Sequence, residues 1–222
     1  MALTILEPDF PRLDRAELAA WGQIPAAIIG DELNRAQCMA GRMKPLAGDI
    51  AFAGQALTAQ TMVGDNVTLH YAMTQAWPGA VLVADARGHL DTAVFGEILF
   101  TNAKSRGFRA IVIDGAVRDS AALAKDRDCP VFCCGAVPQG PHKGFGGTIN
   151  GPISCAGVAV DPGDLIVGDD DGIVVVRPGQ RDGLLARCRA RLANEDVIMD
   201  RIRAGEDTVT IQNMPPADKV GS

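Results

Sequence analysis

Apolar positions change their spacing several times along the chain, and each change predicts an element. Leu13 to Trp21 and Pro25 to Arg35 read as two short helices, the second with Pro25 in its first turn, where a missing N–H costs little. From Asp49 to Met62, "DIAFAGQALTAQTM" is interrupted by glycine and favours strands. Gly64-Asp65-Asn66 then has helix-start chemistry, and "VTLHYAMTQA" returns to helical spacing. The clearest unit follows: "GAVLVAD" is a buried strand, Thr92 to Arg106 a helix and "RAIVIDG" a second strand, together a βαβ crossover. On this reading Asp85 ends the first strand and Asp114 the second, and a right-handed parallel crossover puts both ends on one edge.

Beyond a short helix around Ala121 to Ala124, "PVFCCG", "ISCAGVAV", "DLIVGD" and "GIVVVRP" alternate with Pro-Gly and Asp-Gly turns. Closely spaced strands without intervening helices predict a second, more antiparallel sheet. Gln180 to Ala204 is a long polar helix with Leu184, Leu185, Cys188, Leu192, Ile198 and Ile202 on one stripe. The pattern predicts an α/β protein forming one domain over residues 1–212, with a mobile tail over 213–222.

Composition narrows the function. A chain of 222 residues, 47% apolar, can bury one sizeable core. Its net charge of −6 disfavours a phosphate-backbone partner, so small-molecule chemistry is the expectation and nucleic acid is not. The start "MALTILEPDFPRL" has no basic region leading into a long apolar one, and no uncharged apolar run approaches the ~20 residues that cross a bilayer. A cytoplasmic protein without membrane contact is expected. The six cysteines include no CxxC pair and read as small core residues without a redox or zinc role.

Candidate chemistry gathers where the crossover ends. Ligands of parallel α/β units bind beyond the strand C-termini, where helix N-termini offer unpaired N–H groups. Glu97 lies at the start of the crossover helix and Arg118-Asp119 just past the next strand. An arginine there can grip a carboxylate or keto oxygen, and adjacent acidic oxygens suit a hard divalent cation. The alternative stays open that Arg118 and Asp119 form an exposed ion pair worth ~0–1 kcal/mol and that Glu97 merely complements the helix dipole.

Glu97, twenty residues and then Arg118-Asp119 match the D/E-x20-R-D pattern of the RraA-like family. The likeness extends through "GDN" at 64–66, "DGAVRD" at 114–119, "GTINGP" at 147–152 and "PGDLIVGDDDGIVVV" at 162–176. On these motifs, spread over roughly 25–206, the chain resembles that family and in particular its 4-hydroxy-4-methyl-2-oxoglutarate/4-carboxy-4-hydroxy-2-oxoadipate aldolases. The resemblance implies a β-β-α sandwich like the swivelling phosphohistidine domain, assembled as a homotrimer or homohexamer with active sites at subunit interfaces. It implies Mg²⁺ (or Mn²⁺) held directly by Asp119 and through water by Glu97 and by Glu195 of a neighbouring subunit. Arg118, with the backbone at Gly96, Ile98 and Leu99, would bind a 2-oxo acid. The implied reaction is cleavage of a 4-hydroxy-2-oxo acid to pyruvate and a second carbonyl compound, with oxaloacetate decarboxylation as a side activity. The family also contains regulators that inhibit ribonuclease E by protein contact, the rival reading; there the position of Asp119 is typically not acidic.

Relatives often carry a further acidic residue after the Asp, where this chain has Ser120-Ala121-Ala122, and a glycine-rich turn where it has Asp85-Ala86-Arg87-Gly88-His89. Arg87 and His89 either extend the pocket or lie on loop surface, and His70 is core or rim or lines the pocket. None of the five lysines sits in an apolar strand, against a Schiff-base mechanism. "GFGGTING" resembles a dinucleotide loop only superficially, since a β-rich run follows it. His142 reads as a turn histidine, and Asp169-Asp170-Asp171 before Gly172 as hairpin chemistry.

Overall fold

A computed structural model describes residues 2–218 of the chain. Four strands carry the centre: β3 (Ala51–Thr61), β4 (Ala80–Phe95), β5 (Ala110–Val117) and β6 (Val131–Ala136) lie side by side in parallel. β2 (Lys44–Pro45) closes one edge antiparallel to β6. The far edge of β3 is shared: its first half pairs with β10 (Leu165–Asp169), which turns back through β11 (Gly172–Val176), and its last residues pair with β7 (Gly146–Ile149). β1 (Ala2–Ile5) lies parallel to β7 and ends the row.

Pleating sorts the side chains into two cores. Leu82, Ala84, Ile111, Ile113 and Val117 face the side covered by α3 (Val67–Ala72) and α4 (Glu97–Ser105), where Leu69, Leu99, Phe100 and Ala103 complete the packing. Val81, Val83 and Val112 face the other side, against Phe52, Phe132 and the hairpin of β8 (Ile153–Cys155) and β9 (Val158–Val160). Hairpin, sheet and helices thus form the expected β-β-α layers. Each fully buried Ile or Val contributes about 1.5–3 kcal/mol, so β5, buried over its whole length, is a rigid rail for whatever follows it. A third cluster joins α1 (Arg15–Trp21), α2 (Ala26–Glu32) and α6 (Leu184–Arg203) to β10 and β11 through Trp21, Ile29, Val174, Leu184 and Cys188.

The structure corrects four of the sequence expectations. β4 runs on past Asp85 to Phe95, and α4 begins at Glu97, five residues later than the spacing suggests. The segment 86–92 bulges, with Arg87 and Gly88 at positive φ; within it His89 pairs with Gly115 of β5, and Ala93 and Phe95, which are buried, continue the pairing. Asp114 consequently lies inside β5 and not at its end. Of the C-terminal strands only β8 and β9 build a second antiparallel sheet, of two strands, because β10 finds the free edge of β3. β1 falls in a segment with no strand signal of its own, supplied with pairing by β7. The tail expected from residue 213 has no regular element over 214–218, and 219–222 lie outside the described residues. A single turn of helix, α7 (Thr208–Ile211), precedes it.

Candidate active site

β4 and β5 end next to each other, and their continuations build the site. The Arg118 amide donates to the Phe95 carbonyl at 2.9 Å, which fixes Arg118 beside Gly96. Asp119 turns the chain at φ 57°, ψ 31°, in the left-handed region, and its carbonyl accepts the amides of Ala122 and Leu123 to start α5 (Ser120–Leu123). Its carboxylate Oδ2 reaches across twenty-two residues to accept the Glu97 amide at 3.0 Å, at the first turn of α4. The two motifs separated in sequence therefore meet through a hydrogen bond between them.

Two glycines make this closeness possible. A Cβ at Gly96 would lie 2.8 Å from Asp119 Oδ2 and 2.9 Å from Arg118 Cγ, and one at Gly140 would lie 2.7 Å from Arg118 Nη1. Arg118 Nε is 3.7 Å from Asp119 Oδ2, and both side chains are about 40% exposed (41% and 42%). Such a pair contributes ~0–1 kcal/mol, no more than the ~1 kcal/mol or above that a left-handed non-glycine residue costs. Stability does not account for the arrangement.

Beside the pair opens a cleft of about 100 Å³, lined by Gly96, Ile98, Leu99 and Arg118 on one wall and by Asn66, His70, Pro141 and Lys143 on the other. Ile98 and Leu99 occupy the first turn of α4, and among the described residues no acceptor meets their amides. They point the positive end of the helix at the cleft. Asn66 is buried; its Nδ2 donates to the Val94 carbonyl at 3.0 Å, and its Oδ1 has no partner among the described residues. The His70 pKa lies below its ordinary value, through burial first and then the nearby Lys143 cation, with Asp65 opposing them. The imidazole is therefore neutral at neutral pH.

Asp119 and Glu97 lie outside the cleft lining but adjoin it, Asp119 against Arg118 and the Glu97 amide. Among the described residues no three His, Cys, Asp or Glu side chains converge as a closed metal cage. The donor chemistry still fits a hard cation: Asp119 Oδ1 has no hydrogen-bond partner among the described residues, Glu97 stands beside it, and Mg²⁺ keeps several waters on one or two carboxylates.

The other sequence candidates lie elsewhere. Glu195 is on α6, 3.5 Å from Arg191, which also pairs with Asp31 and Glu32 of α2. It does not line the cleft of its own chain. Arg87 and His89 belong to the β4 bulge outside the cleft lining, His89 Nε2 lying 3.4 Å from Thr92 Oγ1. Asp170 accepts the amides of Asp49 and Ile50, and Asp169 that of Ala26, so the acidic run serves the β10–β11 turn region. Gly146 to Ile149 is strand β7, not a dinucleotide loop. The cysteines are free; Cys129, Cys133, Cys155 and Cys188 are buried, Cys134 is half-buried and Cys38 is exposed. Asn66, Ala93, Val94, Phe95, Pro141 and Lys143 are the cleft residues that sequence reasoning missed. "GDN" marks Asn66 as part of a helix start and of the family likeness but not as a cleft residue, and nothing local connects Lys143 to Arg118.

The profile of the RraA-like (Aldolase/RraA) family matches residues 26–175. The chain belongs to this family. A Halalkalibacterium halodurans protein named "Putative 4-hydroxy-4-methyl-2-oxoglutarate aldolase" is 39% identical over 186 residues, 84% of this chain and 87% of the relative. Among solved structures, RraAS2 of Streptomyces coelicolor, titled an unusual member of the RNase ES inhibitor RraA family, is similar with a TM-score of 0.75 and 26% identity, covering 86% of this chain and 100% of that one. The RNA-processing inhibitor RraA of Thermus thermophilus is similar with a TM-score of 0.63 and 27% identity, over 69% of this chain and 93% of that one. The RraA-like family is thus represented by relatives named for an aldolase and for ribonuclease inhibition. No described helix of the chain is long and apolar enough to cross a membrane.

Proposed function

We propose that the chain is a divalent-metal-dependent aldolase that cleaves a 4-hydroxy-2-oxo acid to pyruvate and a second carbonyl compound. The observation that carries this reading is that Arg118 and the α4 N-terminus line one cleft, with Asp119 held against both through the Glu97 amide and its contact with Arg118. Arg118 offers a planar fork to the substrate carboxylate, and the free amides of Ile98 and Leu99 offer further donors to its oxygens. Breaking the C3–C4 bond develops negative charge on the keto oxygen, which Arg118 and the helix terminus are oriented to offset. A Mg²⁺ or Mn²⁺ ion on Asp119, with Glu97 and Glu195 of a neighbouring subunit holding its waters, would supply Lewis-acid stabilisation of the same charge. On the far wall, Lys143 favours a distal group that is itself acidic, while neutral His70 can donate or accept a hydrogen bond there. Oxaloacetate decarboxylation, which develops the same charge, is the expected side activity. Lys143 lies exposed on a loop and lacks the desolvation that an amine nucleophile needs, which supports the metal route over a Schiff base. By the family resemblance, the proposed assembly is a cytoplasmic homotrimer or homohexamer in which Glu195 completes a neighbour's site.

A lactate-dehydrogenase-coupled pyruvate assay over 4-hydroxy-2-oxo acids and oxaloacetate, with and without Mg²⁺, tests the proposal. Metal-dependent pyruvate release supports it; silence across the panel from folded protein rejects it. The RraA-named relatives favour a second reading, a regulator that inhibits ribonuclease E by contact. Titration of ribonuclease E activity with this protein separates the two, and the acidic side chain at position 119 favours the enzyme.

A further inference from the structure

A buried carboxylate behind the cleft extends the aldolase reading and rests on it for the substrate's distal half. Asp65, between β3 and α3, is completely buried. Its Oδ2 accepts the amides of Gly144 at 2.6 Å and Phe145 at 3.2 Å, and its Oδ1 accepts the Val67 amide at 2.9 Å. The same segments exchange backbone bonds, His142 N–H to Gly64 carbonyl at 2.7 Å and Asn66 N–H to His142 carbonyl at 3.1 Å. Among the described residues no lysine or arginine forms an ion pair with Asp65, so its charge is met by these three amides. A buried charge is tolerated only when its lone pairs are satisfied in this way.

Apolar packing does not fix the loop it holds. His142, Lys143, Gly144 and Phe145 are all exposed, so apolar burial cannot set the loop's position. On the near side, the loop's approach is fixed by the Ala93 amide on the Gln139 carbonyl at 2.9 Å and by Gly140 against Arg118. On the far side the side-chain anchor is Asp65. The Asp65 carboxylate, together with the two His142 backbone bonds, therefore ties the Lys143 loop to the start of α3, which carries Asn66 and His70. We propose that Asp65 is a positioning residue that sets the span between Lys143 and Arg118 across the cleft, and thereby the length of the acidic 2-oxo acid the site accepts.

Asp65→Asn puts an amide donor against the Gly144 and Phe145 amides while Oδ1 can still cap α3. With a 4-hydroxy-2-oxo diacid, kcat/KM should fall tenfold or more, chiefly through KM. Exchange of the methyl hydrogens of pyruvate with D₂O, which uses no distal wall, should change less than twofold. The double variant with Lys143→Ala should be no worse than Lys143→Ala alone. Parallel losses in both assays, or no loss in either, would overturn the proposal. Asp65→Glu, which keeps the charge but lengthens the tether, should shift the preferred diacid length; an unchanged preference counts against the idea. Amide hydrogen exchange at Gly144 and Phe145 should accelerate in Asp65→Asn with β5 unaffected, and unaltered protection would refute the anchor without reference to turnover. Failure of the unsubstituted protein to turn over any acid would instead reject the aldolase reading.

Discussion

Replacing Asp119 with asparagine separates function from stability more cleanly than any other change at this site. The residue sits at φ 57°, a conformation asparagine tolerates as readily as aspartate, so no backbone strain is added. The amide oxygen can still accept the Glu97 N–H, a bond worth about 0.5–1.5 kcal/mol and partly exposed to water. What is lost is the 3.7 Å contact with Arg118, worth ~0–1 kcal/mol at about 40% exposure. The stability change should therefore stay below about 1 kcal/mol, a shift of at most ~4 °C in Tm for a chain of this size. Turnover should fall by roughly 10³-fold or more, since a neutral amide neither holds a divalent cation well nor balances the charge on Arg118. Calorimetry beside the coupled pyruvate assay measures both. A loss of more than ~2 kcal/mol would mean that Asp119 serves the fold. Undiminished turnover at normal Tm would remove it from the chemistry.

Three further outcomes follow from the same geometry. Gly140→Ala brings a Cβ to 2.7 Å from Arg118 Nη1, and because the guanidinium is the flexible partner it should swing aside: kcat/KM should drop about tenfold or more with Tm nearly unchanged. EDTA should abolish pyruvate release, and Mg²⁺ or Mn²⁺ should restore it; activity that survives thorough chelation would reject the metal reading. Asp164 is buried, and that burial pushes its carboxyl up to about 6, above the roughly 3.9 of an unfolded chain. Because the folded pKa is the higher one, the folded state binds this proton more tightly, and stability falls as pH rises from about 4 through 6. Asp164→Asn should relieve up to ~3 kcal/mol at pH 8 and progressively less towards pH 4, read from urea unfolding across that range. A gain that does not depend on pH would refute the cause assigned here.

What the sequence determined by itself was the chemistry and the local elements. "RAIVIDGAVRD" could only be a buried strand that opens onto charge, and Glu97 with Arg118-Asp119 marked the site because βαβ topology brings consecutive strand ends to one edge. The polar C-terminal helix was likewise legible from its single apolar stripe. Tertiary structure decided what depends on distant partners. β4 continues past Asp85 because β5 remains beside it to pair with Ala93 and Phe95, a choice no local period records. β10 and β11 joined the main sheet because the edge of β3 was free, and β1 exists only against β7. The far wall of the cleft was invisible for the same reason. Lys143 reaches it through amides held by the carboxylate of Asp65, seventy-nine residues away from Gly144, and a contact across that separation is set by the folded chain and not by its neighbours in sequence.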